Sequence, residues 1–157
     1  MSVTELLKRV LAPLKDEIAQ RQLNVQVKVA SGLDQITGDA DQLEAALRAI
    51  VKNGVEFNRK GGNLAVMVKP VRRGAISMIE VRVEDTGVGI PAGDLPHVSE
   101  VFWQGGNVLT DKPRGLGLGL AVAHRVAENH GGTVEIASEE GKGTVVTMLL
   151  PSGGRRA

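Results

Sequence analysis

Apolar positions near the start of the chain recur at helical spacing. Leu6, Leu7, Val10, Leu11, Leu14 and Ile18 share one side of a wheel, with Lys8, Lys15, Asp16 and Glu17 elsewhere. This predicts a helix over residues 3–21. Pro13 cannot donate to the Arg9 carbonyl, so either a kink falls there or the helix starts later. Residues 24–30 then alternate polar and apolar strictly, the pattern of a half-buried strand, and residues 35–38 read as a short second strand. Asp39 stands as an N-cap before a helix reaching about residue 57, with Leu43, Ala46, Leu47, Ile50, Val51 and Gly54 on one stripe and Lys60-Gly61-Gly62 as its stop. Two longer strands follow, residues 63–71 and 75–84, joined through Arg72-Arg73-Gly74. Residues 91–103 suggest a short helix, and residues 104–114 carry no periodicity. A further helix over residues 116–129 has Leu116, Leu120, Val122, Ala123, Val126 and Ala127 as its apolar side. Residues 133–137 and 144–150 form two last strands around a glycine-containing turn.

Paired strands alternating with single helices predict a two-layer α/β sandwich, a mixed sheet covered by helices on one face. The expected domain spans residues 1–151, and the tail 152–157 is expected to be disordered. Composition narrows the function. The chain has 157 residues and no cysteine, which excludes disulfides and thiolate metal sites. No apolar run approaches the roughly 20 residues of a membrane span, and the first residues lack the order of a signal peptide, so a soluble chain without direct membrane contact is expected. A net charge of +1 with one tryptophan, two phenylalanines and no tyrosine gives neither the field nor the stacking surfaces of a nucleic-acid binder.

Glycine is in excess, 20 residues where about 11 are expected at the usual ~7%, and twelve of them lie between Gly87 and Gly143. The excess therefore has a local cause. Asp85-Thr86-Gly87-Val88-Gly89-Ile90 falls where a strand stops. Its carboxylate suits a donor such as the amino group of adenine, and its glycines let the chain approach a base; an ordinary Asp-Thr-Gly turn has the same composition. Gly115-Leu116-Gly117-Leu118-Gly119-Leu120 precedes a predicted helix, so its N–H groups would face an anion, although a plain hinge reads the same way. It has neither the Gly-Lys-Ser/Thr ending of a P-loop nor the strand before it that a dinucleotide fingerprint requires. Asn53, late in its helix, offers an amide oxygen that could hold Mg²⁺, a cation content with one or two protein oxygens beside phosphates and water.

In order along the chain, Asn53, Asp85-Thr86-Gly87-Val88-Gly89, Val101-Phe102-Trp103, Gly115 to Leu120 and Gly141-Lys142-Gly143-Thr144 resemble the catalytic, ATP-binding domain of sensor histidine kinases. That domain belongs to the GHKL ATPase superfamily, whose Bergerat fold is the sandwich predicted above. The resemblance spans about residues 3–151. It implies ATP and Mg²⁺ as cofactors, with Asn53 on the metal and Asp85 on the adenine amino group. Gly87 and Gly89 would shape the base pocket, with Phe57, Ile90 and Leu120 beside the base and Thr144 reaching it directly or through water. Gly115, Gly117 and Gly119, with Leu116 and Leu118 between them, would hinge a lid over residues 104–114 and turn N–H groups to the phosphates. Lys112 and Arg114 could neutralise phosphate charge.

Three positions depart from the family pattern. Ala49 stands one turn before Asn53, where histidine kinases commonly have a second asparagine and the gyrase and MutL branch has a glutamate as general base. Alanine takes no proton, which disfavours efficient ATP hydrolysis. Glu56 stands where a basic residue is common and would repel phosphates unless Mg²⁺, Lys52, Arg59 or Lys60 compensates. Ser99 also replaces a phenylalanine common before the Phe102 position.

None of the three histidines, His97, His124 and His130, stands in the helix pattern of a phosphoacceptor; His124 is expected on a helix surface and His130 near its end. The resemblance thus implies a kinase domain that passes the γ-phosphoryl to a histidine on a separate dimerisation domain, and from there to a response-regulator aspartate. It would be monomeric alone, homodimeric in the full protein, and cytoplasmic. A degenerate nucleotide-binding interaction module and an anti-sigma-type serine kinase are the alternatives.

Overall fold

The computed structural model describes residues 2–31, 36, 38–56, 58–87, 114–139 and 141–151. Ser2 opens the first helix by accepting a hydrogen bond from Glu5 N–H at 3.2 Å, with an acidic residue in the first turn. Pro13 then divides the predicted segment. Helix α1, Val3–Leu11, gives way to a 3₁₀ turn at Ala12–Leu14, and α2, Lys15–Gln20, resumes beyond it. Of the two outcomes expected at that proline the kink is the one found.

Strand β1, Asn24–Val29, is followed by Ile36 and Gly38, neither of which is in a strand. The short strand expected at 35–38 is therefore corrected, although Gln35 and Thr37 lie outside the described residues. Ile36 is buried in the core cluster, and Gly38, at φ 150°, turns the chain into helix α3, Ala40–Glu56. Asp39 caps that helix as expected: its Oδ1 accepts from Gln42 N–H at 2.9 Å. Asp39→Ala is expected to cost about 1 kcal/mol in urea denaturation. An unchanged midpoint would mean that the cap contributes nothing in solution.

Strands β2, Asn63–Arg73, and β3, Ile76–Asp85, form an antiparallel hairpin in which Arg73 already pairs with Ile76. The turn is thus Gly74-Ala75, with Gly74 at φ 64°, rather than the predicted Arg72-Arg73-Gly74. Helix α4, Arg114–Asn129, leads to β4, Thr133–Glu139, and β5, Gly143–Pro151. The strand order is β1-β2-β3-β5-β4, with β1 parallel to β2 and the other pairs antiparallel.

The sheet is mixed and its two faces differ. Leu64, Val66 and Val68, Ile79, Val81 and Val83, and Val146, Met148 and Leu150 are buried on one face, where α3 and α4 pack, with α1 against α3. Between them, Lys69–Glu80 at 3.8 Å and Arg82–Glu84 at 2.7 Å are ion pairs of the opposite face. This is the α/β sandwich expected from the sequence. Among the described residues no helix is long and apolar enough to cross a membrane.

Helix α4 differs from expectation in three ways. It begins at Arg114 rather than near Leu116, so Gly115, Gly117 and Gly119 are helical. A helical glycine costs about 1 kcal/mol relative to alanine, which packing of the following turns against α3 offsets. Val122, placed on the apolar side by the sequence, is 47% exposed. The buried stripe is Leu120, Ala123 and Ala127, and Val122 lies about 200° from Leu120. His124, expected at the surface, is buried on that stripe with Nε2 3.5 Å from Glu128. Burial holds its imidazole below the ordinary histidine value, opposed by Glu128 and aided by Arg125. His130 bridges two helix ends: Nδ1 pairs with Val126 O at 2.8 Å and Nε2 accepts from Asp39 N–H at 3.0 Å.

Candidate functional site

The carboxylate of Asp85 ends β3 on the helix-covered side of the sheet. It lies in one row with Leu64 of β2, Thr144 of β5 and Ser138 of β4. Helix α3 crosses this row at Gly54, where a Cβ would stand 2.7 Å from Leu64 Cδ1 and 3.8 Å from Asp85 Cβ. The missing side chain lets α3 settle there, and Asn53 is the residue just before it on the helix. Asn53 is buried, and its amide nitrogen has no hydrogen-bond partner among the described residues. A buried amide left this way is destabilising unless a ligand completes it.

Asp85 is held from two directions. Gly87 N–H donates to Oδ1 at 2.8 Å, and the backbone amide of Thr144, its partner across the sheet, also favours the charged carboxylate. Burial nevertheless prevails and raises the carboxyl to about 6. Thr144 is buried, and its hydroxyl lies 2.9 Å from Ser138 Oγ. Because the Ser138 hydroxyl donates to Gly143 O at 3.0 Å, Thr144 is the donor in that pair, which leaves acceptor lone pairs on Thr144 Oγ1. An open cavity of about 420 Å³ at this end of the sheet is bordered by Asp85, Thr86, Ser138, Lys142 and Thr144.

A polar network holds this end of the sheet to the loop after α3. Asn58 Nδ2 donates to Asn63 O at 2.9 Å, its Oδ1 accepts from Thr86 Oγ1 at 3.3 Å, and Thr86 Oγ1 accepts from Asn63 N–H at 2.9 Å. Glu56 is paired with Lys52 at 3.6 Å, one of the compensations its charge calls for.

The structure brings together Asp85, Gly87 and Thr144, and Asn53 is buried on α3 one residue before the Gly54 that packs over their row. Leu120 is fully buried in the core. For Arg114, Gly115, Leu116, Gly117, Leu118 and Gly119 the helical backbone is described and the side chains are not. Phe57, Gly89, Ile90, Lys112, the segment Val101-Phe102-Trp103, Ser99, His97 and the expected lid apart from Arg114 lie outside the described residues. Sequence reasoning missed Ser138 and Asn58. Counting back across the β4–β5 turn from Thr144 finds Ser138, because the two residues pair directly.

The unpartnered amide of Asn53 fits an oxygen ligand for Mg²⁺, since amide nitrogen and oxygen exchange by a half-turn of the side chain. Among the described residues there is no group of three or more His, Asp or Glu able to hold a metal alone, so phosphate oxygens would have to supply most of the shell.

Comparison with known proteins agrees with this geometry. Residues 38–154 match the family model described as histidine kinase-, DNA gyrase B- and HSP90-like ATPase. An uncharacterized sensor-like histidine kinase of Rhizobium meliloti is 32% identical over 150 residues, 96% of this chain and 28% of the relative. The sensor-like histidine kinase SenX3 of Mycobacterium tuberculosis is 35% identical over 130 residues, 83% of this chain and 30% of the relative. The chain thus spans under a third of the length of these relatives. Among solved structures, the nucleotide-free catalytic domain of histidine kinase ThkA superposes with a TM-score of 0.78 at 21% identity, covering 97% of this chain and 93% of that one. This chain belongs to the histidine kinase-, DNA gyrase B- and HSP90-like ATPase family, as an ATP-binding catalytic domain of the sensor histidine kinase type.

Proposed function

We propose that this domain binds Mg-ATP between α3 and the Asp85 end of the sheet and donates its γ-phosphoryl to a histidine on a separate helical dimerisation domain. The observation that carries this reading is the buried, unpartnered amide nitrogen of Asn53, next on α3 to the Gly54 that packs over the row holding the Asp85 carboxylate. Asp85 accepts a hydrogen bond from the adenine amino group, and Thr144 Oγ1 offers an acceptor beside it. Gly87 and Gly89 shape the wall around the base, with Phe57, Ile90 and Leu120 as apolar lining. At the other end, the first amides of α4, at Arg114 to Gly117, have no partner within their own helix and suit phosphate oxygens. Lys112 and the Arg114 side chain add positive charge.

Mg²⁺, held by Asn53 and the phosphates, would neutralise charge as the Pγ–O bond to ADP breaks and a P–N bond to the acceptor forms. What the domain's own residues contribute is position and charge compensation, which is most of what phosphoryl transfer requires. Ala49 provides no carboxylate to activate water one turn before Asn53, so transfer is favoured over hydrolysis. In the full protein the acceptor domain would form the homodimer and pass the phosphoryl to a response-regulator aspartate on the cytoplasmic side.

Labelled ATP supplied together with the upstream helical domain tests this. Acid-labile, base-stable label on that partner is the expected result. Bound ATP with no transferred label would overturn the donor role.

A further inference from the structure

Arg59 follows α3 and directs its donors at two turns remote from it in sequence. Nε donates to Thr86 O at 2.8 Å, and one terminal nitrogen donates to Gly87 O at 3.4 Å and to Gly141 O. The first two carbonyls belong to the turn whose Gly87 N–H holds the Asp85 carboxylate. The third belongs to the β4–β5 turn, two residues before Gly143 and three before Thr144, which pairs with Asp85 across β3 and β5. One guanidinium thus ties together the two backbone segments that orient Asp85. A planar fork with five donors suits this task, whereas an ammonium is a single point that cannot span both turns.

The staple is partly solvent-exposed. Contacts of this kind add little to global stability, yet they fix local geometry. We propose that Arg59 is a positioning residue for base recognition, locking the turn at 86–87 to the turn at 141–143 so that the Asp85 carboxylate keeps the orientation that reads an adenine amino group. The proposal rests on the adenine reading of Asp85.

The test uses the whole chain as parent, Arg59→Gln and Arg59→Lys, each titrated calorimetrically with Mg-ATP and with the Mg-triphosphate of purine riboside, which lacks only the amino group. The parent is expected to prefer ATP about tenfold, the worth of one hydrogen bond to a charged group. Arg59→Gln is expected to lower that preference to about threefold or less through weaker ATP binding alone, with Arg59→Lys between. Thermal midpoints of all three proteins should agree within a few degrees.

An undiminished preference in Arg59→Gln overturns the proposal. So does an equal loss for both nucleotides, which marks a role in folding rather than base reading; Arg59→Lys then shows whether charge alone restores it. Absence of any preference in the parent would instead overturn the adenine reading itself.

Discussion

Asp85→Asn is expected to weaken ATP binding by a factor of roughly 10 to 150 while making the nucleotide-free protein more stable at neutral pH. The first effect is the loss of about 1.5–3 kcal/mol that a hydrogen bond to a charged acceptor supplies. The second follows from burial. The Asp85 carboxyl titrates at about 6 in the fold against 3.8 in a model compound. Its folded-state value is raised, so between those two pH values the native state binds more protons than the unfolded one. Stability therefore falls as pH rises from about 4 to about 6 and stays lower above.

Because the carboxylate is only partly enclosed, the penalty at pH 7.5 is taken as about 1 kcal/mol, after discounting for solvent screening. The asparagine variant should accordingly melt about 2–4 °C higher than the parent at pH 7.5 and match it at pH 4. ATP affinity of the parent should fall about tenfold between pH 7 and pH 5 as the carboxylate is protonated, while the variant's stays flat. Calorimetric titrations and melting curves across this range check each part. A variant that binds ATP as tightly as the parent would remove Asp85 from the site.

Gly143→Ala is expected to cost about 2–4 kcal/mol of stability and to take nucleotide binding with it. Gly143 sits at φ 129°, and a Cβ there would overlap the Asp85 carbonyl oxygen and stand 3.0 Å from Thr86 Cα. Backbone strain at positive φ and overpacking against main chain add, and neither can be relieved by moving a side chain. The β3–β5 pairing at Asp85 and Thr144 must then open, which separates the carboxylate from the amide that holds it.

Gly141→Ala is the internal control. It shares a positive φ, 83°, but a Cβ there meets nothing within 4 Å, so only about 1–2 kcal/mol of strain is expected. Urea denaturation of the two variants separates the terms. Equal costs would mean that the overlap with Asp85 is absorbed elsewhere.

Periodicity and punctuation made most of the fold legible. The stripe of α3 and its Asp39 cap, the β2–β3 hairpin and the break at Pro13 each follow from one local rule, and each stands in the structure. Where local rules competed with packing, the sequence reading went astray. The helix expected from Leu116 begins two residues earlier, at Arg114, and carries all three glycines of the Gly-Leu repeat because the turns beyond them are packed against α3. His124 is polar in composition and buried by position, between Leu120 and Ala127 on the same stripe.

The site shows the same division. Asn53, Asp85 and Thr144 belong to ordered motifs and stand out as candidates in one sequence. Ser138, Asn58 and the three hydrogen bonds of Arg59 depend on which turns the sheet brings together, and Arg59 was visible only as a charge near Glu56.

Binding of Mg-ATP by Asp85 and Thr144 at the sheet's end, with Asn53 on α3, is what the proposed function stands on. Its most direct test is calorimetric titration of the isolated chain at pH 7.5 with Mg-ATP, beside the same titration of Asp85→Asn. One saturable site per chain in the parent, and binding at least tenfold weaker in the variant, is the expected result. No saturable heat up to millimolar Mg-ATP, or indistinguishable isotherms for the two proteins, would contradict it.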